Sequence, residues 1–300
     1  MSVVFEIPSP FRSPYQLHQL KYGKGTPTVA IIAGLHGNEL NGIHTLNLLA
    51  SVLRMQNLNG TVLLFPLINS FGADECEKRW PFDGQDLNAL FPGKSDGTTA
   101  ERIAAAVMNA TETADICVDV HSGAAHVREL PQVRTPLSGK ELQVAREMSM
   151  PVVWRRPGSF LSLNGFVGAC RARGQTALRV VGGRGITLDT KLSTKMAAGL
   201  SRMLAAQGIM QALMGTEQSV DISSENISSY RADVGGFFVP EVRVGQKVQS
   251  GHLLGYIGAP IGGDRLDEIR AQRKGVVMTL RANPMVHAQE LLIRIAETDE

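Results

Sequence analysis

The tetrapeptide His36-Gly37-Asn38-Glu39 places two metal-capable side chains three residues apart across a glycine. A second histidine, His121, ends the run Asp115-Ile116-Cys117-Val118-Asp119-Val120 and is followed by Ser122-Gly123. Two imidazoles and one carboxylate make a His₂Glu donor set, one of those used by catalytic zinc, with a position left open for water. A single strand-end histidine often serves only as a hydrogen-bonded structural group. Two such ends, one with a glutamate three residues on, favour a metal. The chemistry available there is activation of water and polarisation of a carbonyl. Asp119 shares a strand face with His121 by alternation and can orient it. His44 and His126 are close in sequence but read as a helix residue and a loop residue without a ligand role.

These residues need a scaffold that brings two strand ends together. Residues 27–33 form an apolar run ending at Gly34, which predicts a buried strand. Leu40, Ile43, Leu46, Leu49 and Leu53 recur at helical spacing, predicting a helix over 38–55 with Asn38 as its cap. Further strands are expected at 61–66, 115–120, 151–154 and 176–181, and helices at 98–112, 139–149, 161–173 and 190–214. Residues 70–97 lack periodicity and read as a long loop, of a kind that is usually functional or disordered. Strands alternating with helices imply a largely parallel sheet covered on both faces, with ligands at the carboxyl ends of its strands. After residue 225 the pattern changes to short strands and frequent glycine turns. The expected organisation is a metal-site α/β domain over 1–225 and a small β-barrel-like module over 226–300.

Composition narrows the function. Thirty Lys+Arg against 28 Asp+Glu leave a net charge of +2, so no bulk field recruits nucleic acid or a membrane surface. Cys76, Cys117 and Cys170 are odd in number and far apart, which speaks for reduced thiols in the cytoplasm rather than a disulfide framework. No segment reads as a signal peptide or a membrane span.

HGNE at 36–39, DGQDLNALFPG at 83–93, DVHSG at 119–123 and RVVGG at 179–183, in this order and spacing, resemble the succinylglutamate desuccinylase/aspartoacylase family, relatives of the zinc carboxypeptidases. The segment at 235–258 is similar to that family's C-terminal β module. The resemblance implies a zinc-carboxypeptidase-like α/β fold with a mixed, largely parallel sheet, and one Zn²⁺ per chain held by His36, Glu39 and His121. It implies hydrolysis of the N-acyl amide of a small anionic acylated amino acid or related amide. A carboxylate base would serve the water, and cations would bind the substrate carboxylate and the oxyanion. The β module would cover the rim of the site or form a homo-oligomer contact.

Two departures stand out. Ala89 follows Asp86-Leu87-Asn88 where the family has arginine, and Val180 stands where the family has its general-base glutamate. A catalytically silent, metal-binding member that binds a small ligand or a protein is therefore the alternative reading. The catalytic base is left unassigned. Glu129 and Asp86 are the candidates carried forward, with Glu75 also considered. Asn88, Lys78, Arg79, Arg179 and Arg184 are the candidate substrate-binding residues. If residue 180 faced the metal, Arg179 would face away.

Overall fold

The computed structural model describes residues 1–157, 165–211 and 219–298. Its strands are β1 (Ser2–Ile7), β2 (Tyr15–Lys24), β3 (Thr28–Ala33), β4 (Gly60–Phe65), β5 (Ile116–His121), β6 (Val127–Thr135), β7 (Val152–Arg155), β8 (Thr176–Gly183), β9 (Val220–Ser223), β10 (Ile227–Arg231), β11 (Gly236–Pro240), β12 (Lys247–Val248), β13 (Leu253–Gly258), β14 (Arg265–Arg270), β15 (Gly275–Arg281), β16 (Met285–Val286) and β17 (Leu291–Glu297). Its α-helices are α1 (Leu40–Leu53), α2 (Ser70–Asp74), α3 (Thr99–Ala110), α4 (Lys140–Glu147), α5 (Phe166–Ala172) and α6 (Thr190–Ala206).

The apolar runs become the centre of the sheet. β4, β3, β5 and β8 are parallel neighbours, so the ends of β3, β5 and β8 open on one side of the molecule. Residues of β3 and β5 are buried throughout, because helices cover both faces. Leu46 and Leu49 of α1, Leu142 of α4 and Met196 and Leu200 of α6 pack with Val118, Val120 and Val180 on one face. Ile103 and Val107 of α3 and Phe166 and Cys170 of α5 pack with Ile32, Cys117 and Ala177 on the other.

The sheet as a whole is mixed, as expected, but less parallel than the strand–helix alternation implies. β2 pairs antiparallel with β4 and β1 with β2 on one flank, and β6 pairs antiparallel with β8 on the other. Parallel pairing is confined to that core and to β6–β7–β9; the other strands reach the sheet by connections that leave their direction free. β1, β2 and β6 lie in stretches to which the residue pattern assigns no element.

β6 also divides. Val127–Glu129 pair with Thr279–Arg281 of β15, while Gln132–Thr135 pair with Val152–Arg155 of β7. The register against β8 breaks between Glu129 and Gln132, where Pro131 has no N–H to give the ladder. Through β15 the sheet continues to β17 and β10, so the C-terminal strands share hydrogen bonds with the α/β part. A second sheet, β14-β13-β11-β16, completes the C-terminal part. Its apolar interior includes Phe238, Leu254, Ile257, Val277 and Ile293.

Among the helices, α3 starts at a capping box in which Thr98 and Glu101 exchange hydrogen bonds. α1 starts two residues later than its apolar pattern suggests, and Asn38 does not cap it. Glu39 occupies the cap position without a side-chain cap bond. The proposed long loop contains α2, capped by Asn69, and a single 3₁₀ turn at Leu87–Leu90. Part of the helix placed at 161–173 and the end of that placed at 190–214 lie outside the described residues.

Candidate metal centre

Glu39 has no capping bond because its carboxylate is committed elsewhere. Its Oε1 lies 2.6 Å from His36 Nδ1 and its Oε2 lies 2.8 Å from His121 Nδ1. Ser122 N–H donates to the same Oε2 at 2.9 Å. The turn between His36 and Glu39 depends on Gly37, since a Cβ there would overlap the Gly72 carbonyl and the Ala73 nitrogen of α2. His36, Glu39 and His121 are all buried, and one ligand atom from each falls within 4.8 Å of the others.

The far nitrogens of both rings are also held. His36 Nε2 lies 2.9 Å from Asp86 Oδ1, and His121 Nε2 lies 2.8 Å from Asp119 Oδ2. Asp86 is steadied by Lys78 Nζ at 3.1 Å. Asp119, fully buried, accepts from Arg179 Nε at 3.2 Å and Nη2 at 3.1 Å. This leaves both Nδ1 atoms facing one carboxylate, with carboxylates fixing the ring orientations from behind, the usual surroundings of metal-bound histidine. The donor set and its convergence fit a zinc ion.

With only protons in the site, the charges pull on one another. Burial alone would lower the His121 pKa, but Asp119 and Glu39 overcome it and push it up to about 9. His36 is raised for the same reason: burial opposes, and hydrogen bonds to Asp86 and Glu39 prevail. Burial would raise Glu39, yet the two imidazoles hold it well below the usual carboxylate range. Asp86 and Asp119 are likewise held low, by His36 and Lys78 and by His121 and Arg179, against the effect of burial.

The centre opens into a cavity of ≈ 320 Å³, whose wall includes Asn88, Gly123, Glu129, Arg134, Arg179 and Arg294.

The catalytic-domain profile of succinylglutamate desuccinylases and aspartoacylases matches residues 25–207. The chain belongs to this family. Its named members are deacylases. Over 291 residues the chain is 25% identical to N-alpha-acetyl-L-2,4-diaminobutyric acid deacetylase of Halomonas elongata, covering 94% of this chain and 85% of that one. The fold matches the product-bound ectoine utilization protein EutE (DoeB) of Ruegeria pomeroyi with a TM-score of 0.81 at 19% identity, over 99% of this chain and 94% of that one. A succinylglutamate desuccinylase of Silicibacter sp. matches with a TM-score of 0.81 at 22% identity, over 98% and 94%.

Against the family pattern, the cations expected from sequence part company. Arg179 lines the cavity, contrary to the orientation inferred from placing residue 180 at the metal. Val180 belongs to the opposite face, in the core with Val118 and Val120, because alternation along β8 turns 179 and 181 to the site instead. Arg184 donates to the Ala125 carbonyl at 2.7 Å and is not among the lining residues. Lys78 serves Asp86, and exposed Arg79 donates to the Gly84 carbonyl at 2.8 Å; neither lines the cavity. Ala89 is exposed on the 3₁₀ turn, whereas Asn88 lines the cavity and accepts from Phe166 N–H at 3.3 Å.

Of the carboxylates considered as bases, Glu75 is exposed and 3.8 Å from Arg12, and Asp86 stands behind His36. Glu129 is buried and lines the cavity. It packs over Gly123, where a Cβ would come within 2.8 Å of its Cγ. Arg134, Arg294 and His126 also line the cavity without having been singled out as site residues. Arg134 lies in a stretch whose apolar residues, Val127, Leu130 and Val133, fall every third position around Pro131 and give no strand alternation; Arg294 lies 160 residues further along the chain.

Proposed function

We propose that the protein is a zinc-dependent hydrolase of the N-acyl amide bond of a small, anionic acylated amino acid or related amide. The observation that carries this reading is the convergence of His36 Nδ1, His121 Nδ1 and the Glu39 carboxylate in a buried pocket, each ring backed by its own aspartate. Kinship with the zinc carboxypeptidases is part of the same proposal, as is the division of the chain near residue 225. The unpaired cysteines support a reducing, cytoplasmic setting.

His36, Glu39 and His121 would hold the zinc, which supplies Lewis acidity toward water and the amide carbonyl when bound. Asp86 and Asp119 keep the two rings pointed at the site. Glu129 is the carboxylate that lines the cavity besides Glu39, among the described residues. Its Oε2 is occupied by Thr279 Oγ1 at 2.6 Å and Gln132 Nε2 at 3.0 Å. Its Oε1 has only longer contacts, to Arg134 at 3.4 Å and Arg294 at 3.9 Å, and is the oxygen free to take a proton and pass it to the leaving amine. Asn88 can donate to a substrate carboxylate through its amide.

The same contacts favour a second reading. A carboxylate held by a hydroxyl, an amide and two guanidiniums is engaged in structural contacts rather than aimed at a water, and the protein would then bind metal and ligand without turnover. One experiment separates the two. The zinc-loaded protein is assayed against a panel of N-acyl amino acids alongside Glu129→Gln. Turnover that falls by about 10²–10⁴-fold in the variant supports the hydrolase with Glu129 as base. A zinc-loaded protein inert across the panel supports the binding reading.

A further inference from the structure

Beyond the metal ligands the cavity is walled by guanidiniums. Arg134 of β6, Arg179 of β8 and Arg294 of β17 all line it, so the C-terminal part of the chain contributes one of them. Arg134 stands directly opposite Arg179 in the β6–β8 ladder. Trp154 of β7 gathers the same group, with the guanidinium carbons of Arg134, Arg156 and Arg294 at 5.3, 4.6 and 5.7 Å from its ring centroid. Burial, together with the positive charge of Arg156, Arg179 and Arg294, pushes the Arg134 pKa down to about 10 despite Glu129.

Such crowding is costly. Like charges directly opposite on a ladder repel, and buried guanidiniums lose hydration. The carboxylates at hand are Asp119, which holds Arg179, and Glu129, which touches Arg134 and Arg294. The two Glu129 contacts, at 3.4 and 3.9 Å, are longer than the about 2.7–2.9 Å of a charge-assisted hydrogen bond. Arg134 and Arg294 therefore keep donor capacity for a further anion, and the planar guanidinium fork suits a carboxylate or phosphate group.

We propose that Arg134, Arg179 and Arg294 form an anion subsite beside the metal centre, which takes a second ionised group, a carboxylate or a phosphate, carried by the substrate away from its scissile amide. The proposal rests on the reading of the cavity as the substrate site and deepens it by naming the charge of the substrate. Substrates with a single ionised group leave the subsite empty, and its repulsion unrelieved.

The test is calorimetric titration of glutarate, inorganic phosphate and acetate into the zinc-loaded and the chelated protein. Glutarate or phosphate is expected to bind at least about tenfold more tightly than acetate in both forms, the scale of one charged hydrogen bond. Preference for glutarate assigns a carboxylate arm, and preference for phosphate a phosphoryl one. Arg134→Gln and Arg294→Gln should each remove about tenfold of that affinity, with zinc affinity within about twofold of wild type. Where a glutamine variant does not fold, Arg294→Lys, which keeps the charge but not the fork, must weaken binding several-fold. Dianion binding that matches acetate, or that ignores these substitutions, overturns the proposal. Arginine-dependent dianion binding in a protein without hydrolysis sustains the subsite while the hydrolase reading fails. Hydrolysis indifferent to a second charge, with arginine-insensitive binding, overturns the subsite alone.

Discussion

Arg134 and Arg179 face each other across an antiparallel ladder, at a position where most sheets place opposite charges or apolar pairs. Each has its own counterion, Glu129 at 3.4 Å for Arg134 and Asp119 at 3.1 Å for Arg179, so the pair is tolerated rather than favourable. A double-mutant cycle on Arg134→Gln and Arg179→Gln, read by urea denaturation, should return a repulsive coupling of about 0.2–1 kcal/mol. Added phosphate should reduce it. An attractive coupling would contradict the geometry.

Zinc must compete with protons. In the metal-free site both Nδ1 atoms face Glu39, with His121 titrating near 9, so binding the ion displaces protons from the rings. Affinity is therefore expected to weaken on acidification. Between pH 8 and pH 6 the apparent zinc affinity should fall by about a hundredfold for one displaced proton, and further for two. Competition with a chelator of known pH dependence measures this; a pH-independent affinity would refute it.

Asp119 would act on the proposed metal through His121. Asp119→Asn keeps the shape but removes the charge that fixes the imidazole and pairs with Arg179. Zinc affinity should drop about 10–100-fold, with the fold retained by circular dichroism. An unchanged affinity would show that the His121 ring is held by its packing alone.

Gly37→Ala tests the turn between the first two candidate ligands, His36 and Glu39. The added methyl runs into the backbone of α2 rather than into a movable side chain. Stability should fall by about 1–3 kcal/mol or more, and zinc affinity with it, because His36 and Glu39 move together. Denaturation and metal titration on the same preparation would reveal whether the two losses are linked.

Asn41 ties α1 to the segment after β8. Its Nδ2 donates to the carbonyls of Arg184 and Thr187 at 2.8 and 2.9 Å, and its Oδ1 accepts from Asp189 N–H at 2.7 Å. The residue is fully buried. Asn41→Ala leaves these backbone groups without partners and should cost about 2–4 kcal/mol in urea denaturation.

Much of the molecule was legible in order of residues alone. The convergence of His36, Glu39 and His121 could be expected because strand ends in an alternating strand–helix pattern collect on one side of a parallel sheet, which is a property of chain connectivity. The buried strands β3, β4, β5 and β8 and the helices α1, α3, α4 and α6 follow from runs and periods of apolar residues, which are local signals. Other features are not local, and only the tertiary structure decided them. Whether Arg179 or Val180 faces the metal depends on the register of β8 between β5 and β6, and a shift of one residue exchanges the two faces. The grouping of Arg134, Arg179 and Arg294 around one cavity depends on β6, a strand interrupted by Pro131, joining β8 to β15 and so to β17. Pairing between distant strands is set by packing and hydrogen bonding across the whole sheet, and no window of neighbouring residues contains that information.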